Sequence, residues 1–495
     1  MKNIEFNYRG FILALLCFVT ACEKTDVVNI NDPDRERALA SDSDIISLID
    51  GSVTDLFSHL VGLSSIYFDG LADQITTTNA SRDFWGFMDQ PRRSITNTTT
   101  NANLRYSVGF NWGSLNSYIY NANVILGIVI NDGRTIKDGG LDVTESKKTQ
   151  ALFVRGLSLG YLGLIYDKGY RVDENSDVTK LEFVDYSTLI DHALKDIESA
   201  INNAPENFEL PIYQGYKINK TAFVKLANTF KAKIAMGVKR GGSADESIDY
   251  NKVIQWLEAG IDEDFNPPAK KDVLFNNGQD WMTYTLSDGA GYLPVDQKIP
   301  HLAEGDASKQ PADYPKDSSI ILEKISNTRD SRVANYFEYT PNFGYLRESR
   351  GRHLFSNYRH TRFYTDNDRN VDGYSTNIFS KAEADYLKAE AQFLSGKSNE
   401  AISTINNSLK RAGSGLEDLT DPLKGLLYEY AIELHLNGTL GTNFFFLRRH
   451  NLLQQGTPIH YPVPATELEI TGLALYTFGG PAGEDSAPGP GWKGL

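Results

Sequence analysis

Residues 381–411, KAEADYLKAEAQFLSGKSNEAISTINNSLKR, decide the fold. Starting one turn earlier, Phe379, Ala382, Tyr386, Ala389 and Phe393 recur at alternating spacings of three and four, which places them in one stripe along a helix. Gly396 stops that helix, and Ala401, Ile402, Ile405 and Leu409 begin a second after a turn of two to four residues. Two short amphipathic helices joined so tightly bury their stripes by lying antiparallel. The result is a helix hairpin of tetratricopeptide size, without the full signature of that repeat.

Working outward, the same period fills most of the chain. Residues 186–202 carry it through Leu189, Ile190, Ala193, Leu194, Ile197 and Ile201, and Asn219 caps a helix over 221–238 whose Ala222, Leu226, Phe230 and Ile234 are four apart. Further helices are predicted over 44–61 behind the caps Ser41 and Ser43, and over 104–130, 149–166, 423–436 and 443–450. In the helix over 149–166, Gly156, Gly160 and Gly163 share one side, which costs helix propensity but admits a close neighbour. Between 262 and 377 the period is lost to Gly, Pro, Asn and Tyr, as in an irregular insertion with some short strands. The expected fold is therefore all-α: one domain over 43–495, with helix pairs over about 43–261 and 378–450 and a loop-rich insertion over 262–377. The Gly- and Pro-rich C-terminal end is expected to wrap over the surface as coil.

The N-terminus reads as an export signal over residues 1–21. Lys2 and Arg9 form a basic start, 11–19 an apolar run too short to span a bilayer, and Ala21 precedes Cys22. Val19-Thr20-Ala21-Cys22 resembles a bacterial lipobox, which makes Cys22 the lipidated residue and 22–42 a flexible spacer. The other reading is an ordinary secretory signal with a chance cysteine. Acyl chains hold a protein to a membrane by burying methylenes, each worth about 0.8 kcal/mol, so lasting attachment takes more than one chain.

Composition narrows the function. The net charge of -15 argues against nucleic acid or anionic lipid as general partners. The two cysteines, Cys17 and Cys22, fall in the signal and at the lipid site, which leaves the mature chain without a disulfide, a cysteine metal site or a thiol nucleophile. No run after the signal is expected to reach the length of a membrane span.

The order of segments is similar to that of the SusD/RagB family, outer-membrane lipoproteins of Bacteroidetes that capture nutrients for a transporter. The resemblance rests on the lipobox, Trp112 with YIYNANVIL, ALFVRGLSLGYLGLIYDKGY, YSTLIDHALKDIESAINNAP, KINKTAFVKLANTFKAKIAM, the hairpin quoted above and HYPVPATELE. It implies a right-handed stack of tetratricopeptide-like helix pairs with the insertion on the ligand side, no enzymatic activity, and a SusC-like TonB-dependent transporter as partner. It also implies location at the outer membrane facing the exterior. One segment departs from the family: YEYAIELHLNGTLGTNFFFLRR keeps Glu429 and Glu433 but lacks the family's first arginine, which leaves the contacts of that helix open.

Glycan recognition requires flat aromatic faces flanked by Asp, Asn, Gln and Arg for hydroxyls. Asp73, Asn79, Arg82, Phe84 and Trp85 supply that set in a polar stretch over 69–103, and Trp281, Tyr284 and Tyr292 supply rings in the insertion. In glycan-binding members of the family the ligand lies between loops at about these two places. The alternative is that Phe84, Trp85 and Trp281 pack beneath their own loops. Arg347, Arg350, Arg352, Arg359 and Arg362 either meet an anionic ligand or pair with the chain's own carboxylates. Asp368, Asn370 and Asp372 fit the start of a calcium loop, but Phe379 stands where a bidentate Glu is needed, and Asx-turns explain the pattern equally well. No cofactor is required. HExxH and GxxxxGK are absent, which favours binding over catalysis; peptide or other nutrient binding in the same uptake role, a glycoside hydrolase, and a structural helical-repeat adaptor are the competing readings.

Overall fold

Three glycines set the closest approach in the helical frame. On the helix α5 (Thr144–Ile165), a Cβ at Gly156 would lie 2.8 Å from Ile197, one at Gly160 2.5 Å from Ile234, and one at Gly163 2.7 Å from Ile190. Ile190 and Ile197 belong to α6 (Tyr186–Asn203) and Ile234 to α7 (Lys220–Met236). The glycines therefore sit where two neighbouring helices press in, and the propensity they cost is returned as buried contact.

The computed structural model describes residues 39, 41–78, 81–89, 91–213, 215–241, 245, 247–269, 293–305, 324–326, 328–340, 346–350, 355–362, 374–375, 378–489 and 491. The chain divides into residues 1–45 and 46–495. Ahead of α5 come α1 (Asp42–Leu60), α2 (Ser65–Leu71), α3 (Phe84–Met88) and α4 (Val108–Leu126). After α7 come α8 (Tyr250–Glu258), α9 (Lys298–Ala303), α10 (Ser331–Tyr336), α11 (Lys381–Leu394), α12 (Ser398–Asn407), α13 (Pro422–Ile432) and α14 (Thr442–Arg449). Consecutive helices pack on one another from α4 through α8, and α11 packs on α8, α12 and α13. Strands are confined to two-stranded antiparallel hairpins and pairs, among them Phe337–Tyr339 with Tyr358–His360 in the insertion. The fold is the expected all-α array of helix pairs.

The hairpin that announced the fold forms as α11 and α12, with Gly396 at φ 81 in the turn, a backbone conformation that disfavours other residues. Ser380 Oγ caps α11 by accepting the Glu383 N–H at 3.1 Å. Asn219 does the same for α7, accepting from the Ala222 N–H at 3.0 Å. The second stripe ends sooner than predicted: α12 stops at Asn407, and Leu409 begins a separate turn with 81% of its surface exposed. By length and hydropathy Asp42–Leu71 does reach membrane-span size, contrary to the sequence expectation, yet 61% of its apolar 18-residue window is buried as in a core helix.

Buried charges tie the insertion to the frame. Glu429 and Glu433 on α13, with Asp330 before α10, are fully buried. Arg332 contacts all three, at 2.9 Å to Asp330, 2.7 Å to Glu429 and 3.4 Å to Glu433. Arg362 reaches Glu433 at 2.7 Å and Arg411 reaches Glu429 at 2.7 Å. Three carboxylates thus meet three guanidiniums, and Tyr386 donates to Glu429 as well. The carboxylates of α13 are met by cations from α10, from residue 362 and from the turn after α12.

Candidate functional site

The polar stretch over 69–103 is built around two consecutive left-handed residues, Arg82 (φ 50) and Asp83 (φ 60). Such conformations cost about 1–3 kcal/mol each away from glycine and persist where the surroundings enforce them. Tyr67, fully buried, donates its hydroxyl to the Arg82 carbonyl at 2.9 Å and fixes the bend. The bend then sends Phe84 inward and Trp85 outward. Phe84 is fully buried with its ring 5.0 Å from that of Tyr67, whereas Trp85 keeps part of its surface exposed.

Arg92 staples this loop down. Its guanidinium, 2% exposed, donates to the carbonyls of Phe87 at 3.0 Å and Gly70 at 3.1 Å, to Asp73 at 2.5 Å and to the Thr457 hydroxyl at 3.3 Å. Asp73, 1% exposed, is therefore the buried partner of Arg92, and Phe84 is part of the core; neither presents its side chain to solvent. Asn97 fixes the next segment: its amide donates to the Val463 and Tyr476 carbonyls and its oxygen accepts the Ala465 N–H. Sequence reasoning missed both anchors: the partners of Asn97 lie more than 360 residues away, and those of Arg92 are in part backbone carbonyls, which no side-chain pattern marks.

Arginines and rings gather at the outer surface. The guanidiniums of Arg93 and Arg350 lie 4.5 Å and 4.7 Å from the Trp85 ring centre, and those of Arg105 and Arg82 lie 4.6 Å and 5.4 Å from that of Tyr106. Arg350 also donates to the Thr78 carbonyl at 3.2 Å, and the Arg347 N–H donates to the Thr78 hydroxyl at 2.6 Å. The insertion touches the same loop again where the Thr76 N–H donates to the Pro294 carbonyl at 3.0 Å. The aromatic loop and the described parts of the insertion therefore meet at residues 74–78. Burial pushes the Asp83 carboxyl above its ordinary range, with Arg93 acting in the opposite direction.

Beside this cluster runs a cleft of about 540 Å³, lined by Thr98, Thr99, Asn101, Arg105, Phe110 and Thr466 among others. Next to Thr466 of this wall, three of the segments that carried the family resemblance meet. Trp112 and Tyr170 both donate to Glu467, at 3.3 Å and 2.9 Å, and Trp112 packs edge-on against Tyr166 at 5.1 Å.

Of the other sequence candidates, Arg359 pairs with Glu338 at 2.6 Å and Arg362 with Glu433, so these two follow the internal-pairing reading. Cys22, Asn79, Trp281, Tyr284, Tyr292, Arg352, Asp368, Asn370 and Asp372 lie outside the described residues. Among the described residues no group of three or more His, Cys, Asp or Glu side chains is placed to hold a metal ion.

The helix-pair architecture defines the class: the fold is SusD-like. No family model matches the sequence, and no curated protein matches it. Among solved structures, a SusD-like protein from Bacteroides fragilis aligns with a TM-score of 0.59 at 15% identity, covering 90% of this chain and 97% of that one. Surface glycan-binding protein A from Bacteroides uniformis aligns with a TM-score of 0.58 at 14% identity, covering 88% and 99%. A SusD superfamily protein from Bacteroides vulgatus aligns with a TM-score of 0.55 at 16% identity, covering 87% and 97%. At such identities the shared property is the fold, and residue roles rest on this chain's own geometry.

Proposed function

We propose that the protein is a non-catalytic glycan-binding lipoprotein of the outer membrane, anchored through Cys22 and facing the exterior, that passes oligosaccharides to a SusC-like TonB-dependent transporter. The observation that carries the reading is the loop over 82–106, which sets Trp85 and Tyr106 at the surface beside a cleft of about 540 Å³ whose lining includes Thr98, Thr99, Asn101 and Thr466. Hydroxyl and amide groups at such a wall suit the mixed donors and acceptors of sugars, and the rings hold the guanidiniums that lie over them in position at the cleft's edge. Arg82 and Trp85 act at the ligand, with Asn79, Trp281, Tyr284 and Tyr292 completing the site. Asp73 and Phe84 position the loop from beneath. Asp368, Asn370 and Asp372 remain a calcium site to be tested by adding the ion.

Isothermal titration of the protein against a panel of neutral and acidic polysaccharides tests the reading. Binding to at least one member, lost in Trp85→Ala, is the expected result; binding to none overturns it. Replacing Cys22 by Ser is expected to release the protein from membranes without altering binding, and retained attachment contradicts the anchor.

A further inference from the structure

The Trp85 ring is occupied by guanidiniums rather than left open for a sugar face, and this bears on which glycans fit. Resting on the glycan-binding reading above, we propose that the site selects acidic glycans, those bearing uronate carboxylates or sulfate esters, through Arg82, Arg93, Arg105 and Arg350.

Charge balance is the first argument. Against Arg82, Arg93, Arg105, Arg347 and Arg350 stand three described carboxylates: Asp83, which Arg93 influences, Asp89, and Glu469, which accepts from the Thr99 hydroxyl at 3.0 Å at the cleft. Only the Arg93–Asp89 pair, at 2.8 Å with Arg93 49% exposed, brings a guanidinium of this group within ion-pair distance of a carboxylate among the described residues. An exposed pair of that kind contributes about 0–1 kcal/mol and yields readily to a better-placed anion. The chain's net charge of -15 does not cancel the local excess, because charges more than about 8 Å away are largely screened at physiological ionic strength.

Geometry is the second. A guanidinium lying over an aromatic ring is held by its flat face, so its N–H edge is left for a partner and less rotamer freedom is lost on binding. A carboxylate or sulfate takes that edge through two parallel hydrogen bonds, whereas a neutral hydroxyl takes one. Arg105 is held further by donating to the Tyr106 hydroxyl at 2.6 Å.

The neighbouring cleft argues for a glycan over an acidic peptide. Thr98, Thr99 and Asn101 line it beside Arg105, so the anionic contact adjoins a wall of hydroxyl and amide groups. A chain of hydroxyl-bearing rings satisfies both surfaces at once, while a polyglutamate satisfies only the first.

The test uses matched pairs that differ in charge alone: dextran sulfate against dextran, and polygalacturonate against its methyl ester, titrated into the purified protein at two salt concentrations. At least one acidic member is expected to bind about tenfold or more tighter than its neutral match, the advantage shrinking as salt rises. Arg350→Gln is expected to remove most of that advantage. Arg105→Gln, whose described hydrogen bond is to Tyr106 alone, gives a second reading if Arg350→Gln lowers the melting temperature by releasing Thr78. Equal binding of acidic and neutral members overturns the selectivity and leaves the glycan reading standing. Acidic binding unchanged in both variants overturns the assignment of these arginines. Binding of polyglutamate with no binding of any glycan in the panel overturns both.

Discussion

Two groups of arginines in this protein differ in what lies opposite them. Arg332, Arg362 and Arg411 face the fully buried carboxylates of Asp330, Glu429 and Glu433, and each of the three has a carboxylate at 2.9 Å or closer. Arg82, Arg93, Arg105 and Arg350 lie over the rings of Trp85 and Tyr106 at the surface. In the first group every charge is spent internally, so the group locks the insertion to α13 and can do nothing else. In the second the rings hold the cations in place, and only Arg93, at 2.8 Å from Asp89, has a carboxylate within ion-pair distance among the described residues. The lesson is that an arginine's function is read from the counter-charge that it lacks.

Removing a member of the buried group gives the largest expected effect. Arg332→Ala leaves Asp330 and Glu429 buried with a missing partner, and breaking a buried pair in this way typically costs about 3–5 kcal/mol. Urea unfolding is expected to shift its midpoint accordingly with little change in slope. A shift below about 1 kcal/mol would mean that the two groups do not differ as described.

Asp69 sharpens the contrast from the other side, as a buried carboxylate without a guanidinium. It is 7% exposed on α2, and burial alone pushes its pKa up to about 8. The folded value lies above the unfolded one near 3.8, so the folded state binds more protons between these values and stability falls as pH rises through that window. Asp69→Asn removes the charge, and is expected to raise the unfolding free energy at pH 7 by roughly 1–3 kcal/mol and to leave it nearly unchanged near pH 4. Thermal melts of both proteins across that range check the sign.

The same contrast explains what the sequence could reveal. Helices were legible wherever the apolar period ran: α11 with its stop at Gly396, α7 with its Asn219 cap, and the Gly156, Gly160 and Gly163 side of α5 all stand as predicted. Leu409 misled because it continues the stripe in number while the chain has already left the helix at Ser408. Phe84 and Asp73 were read as ligand candidates because composition marks a loop as polar and aromatic. Which of two adjacent rings turns inward is decided by the left-handed pair at Arg82 and Asp83, for which Arg82 gives no local signal and Asp83 only a weak one. The arginine partners were the least legible of all. Glu429 is 97 residues from Arg332, and no periodicity connects positions so far apart.

The smallest expected effect on stability is the one that most directly separates the two groups. Arg350→Gln removes a cation from the Trp85 ring and a hydrogen bond to the Thr78 carbonyl, at a partly exposed site where such contacts contribute about 0.5–1 kcal/mol each at most. No carboxylate is stranded by the change among the described residues, so the penalty that makes Arg332→Ala severe has no counterpart here. Arg350→Gln is therefore expected to unfold within about 1 kcal/mol of the unaltered protein in the same urea titration, while its ligand binding changes most. If it is instead destabilised as strongly as Arg332→Ala, the surface arginines are structural, and the distinction between cations held by carboxylates and cations held by rings loses its functional meaning.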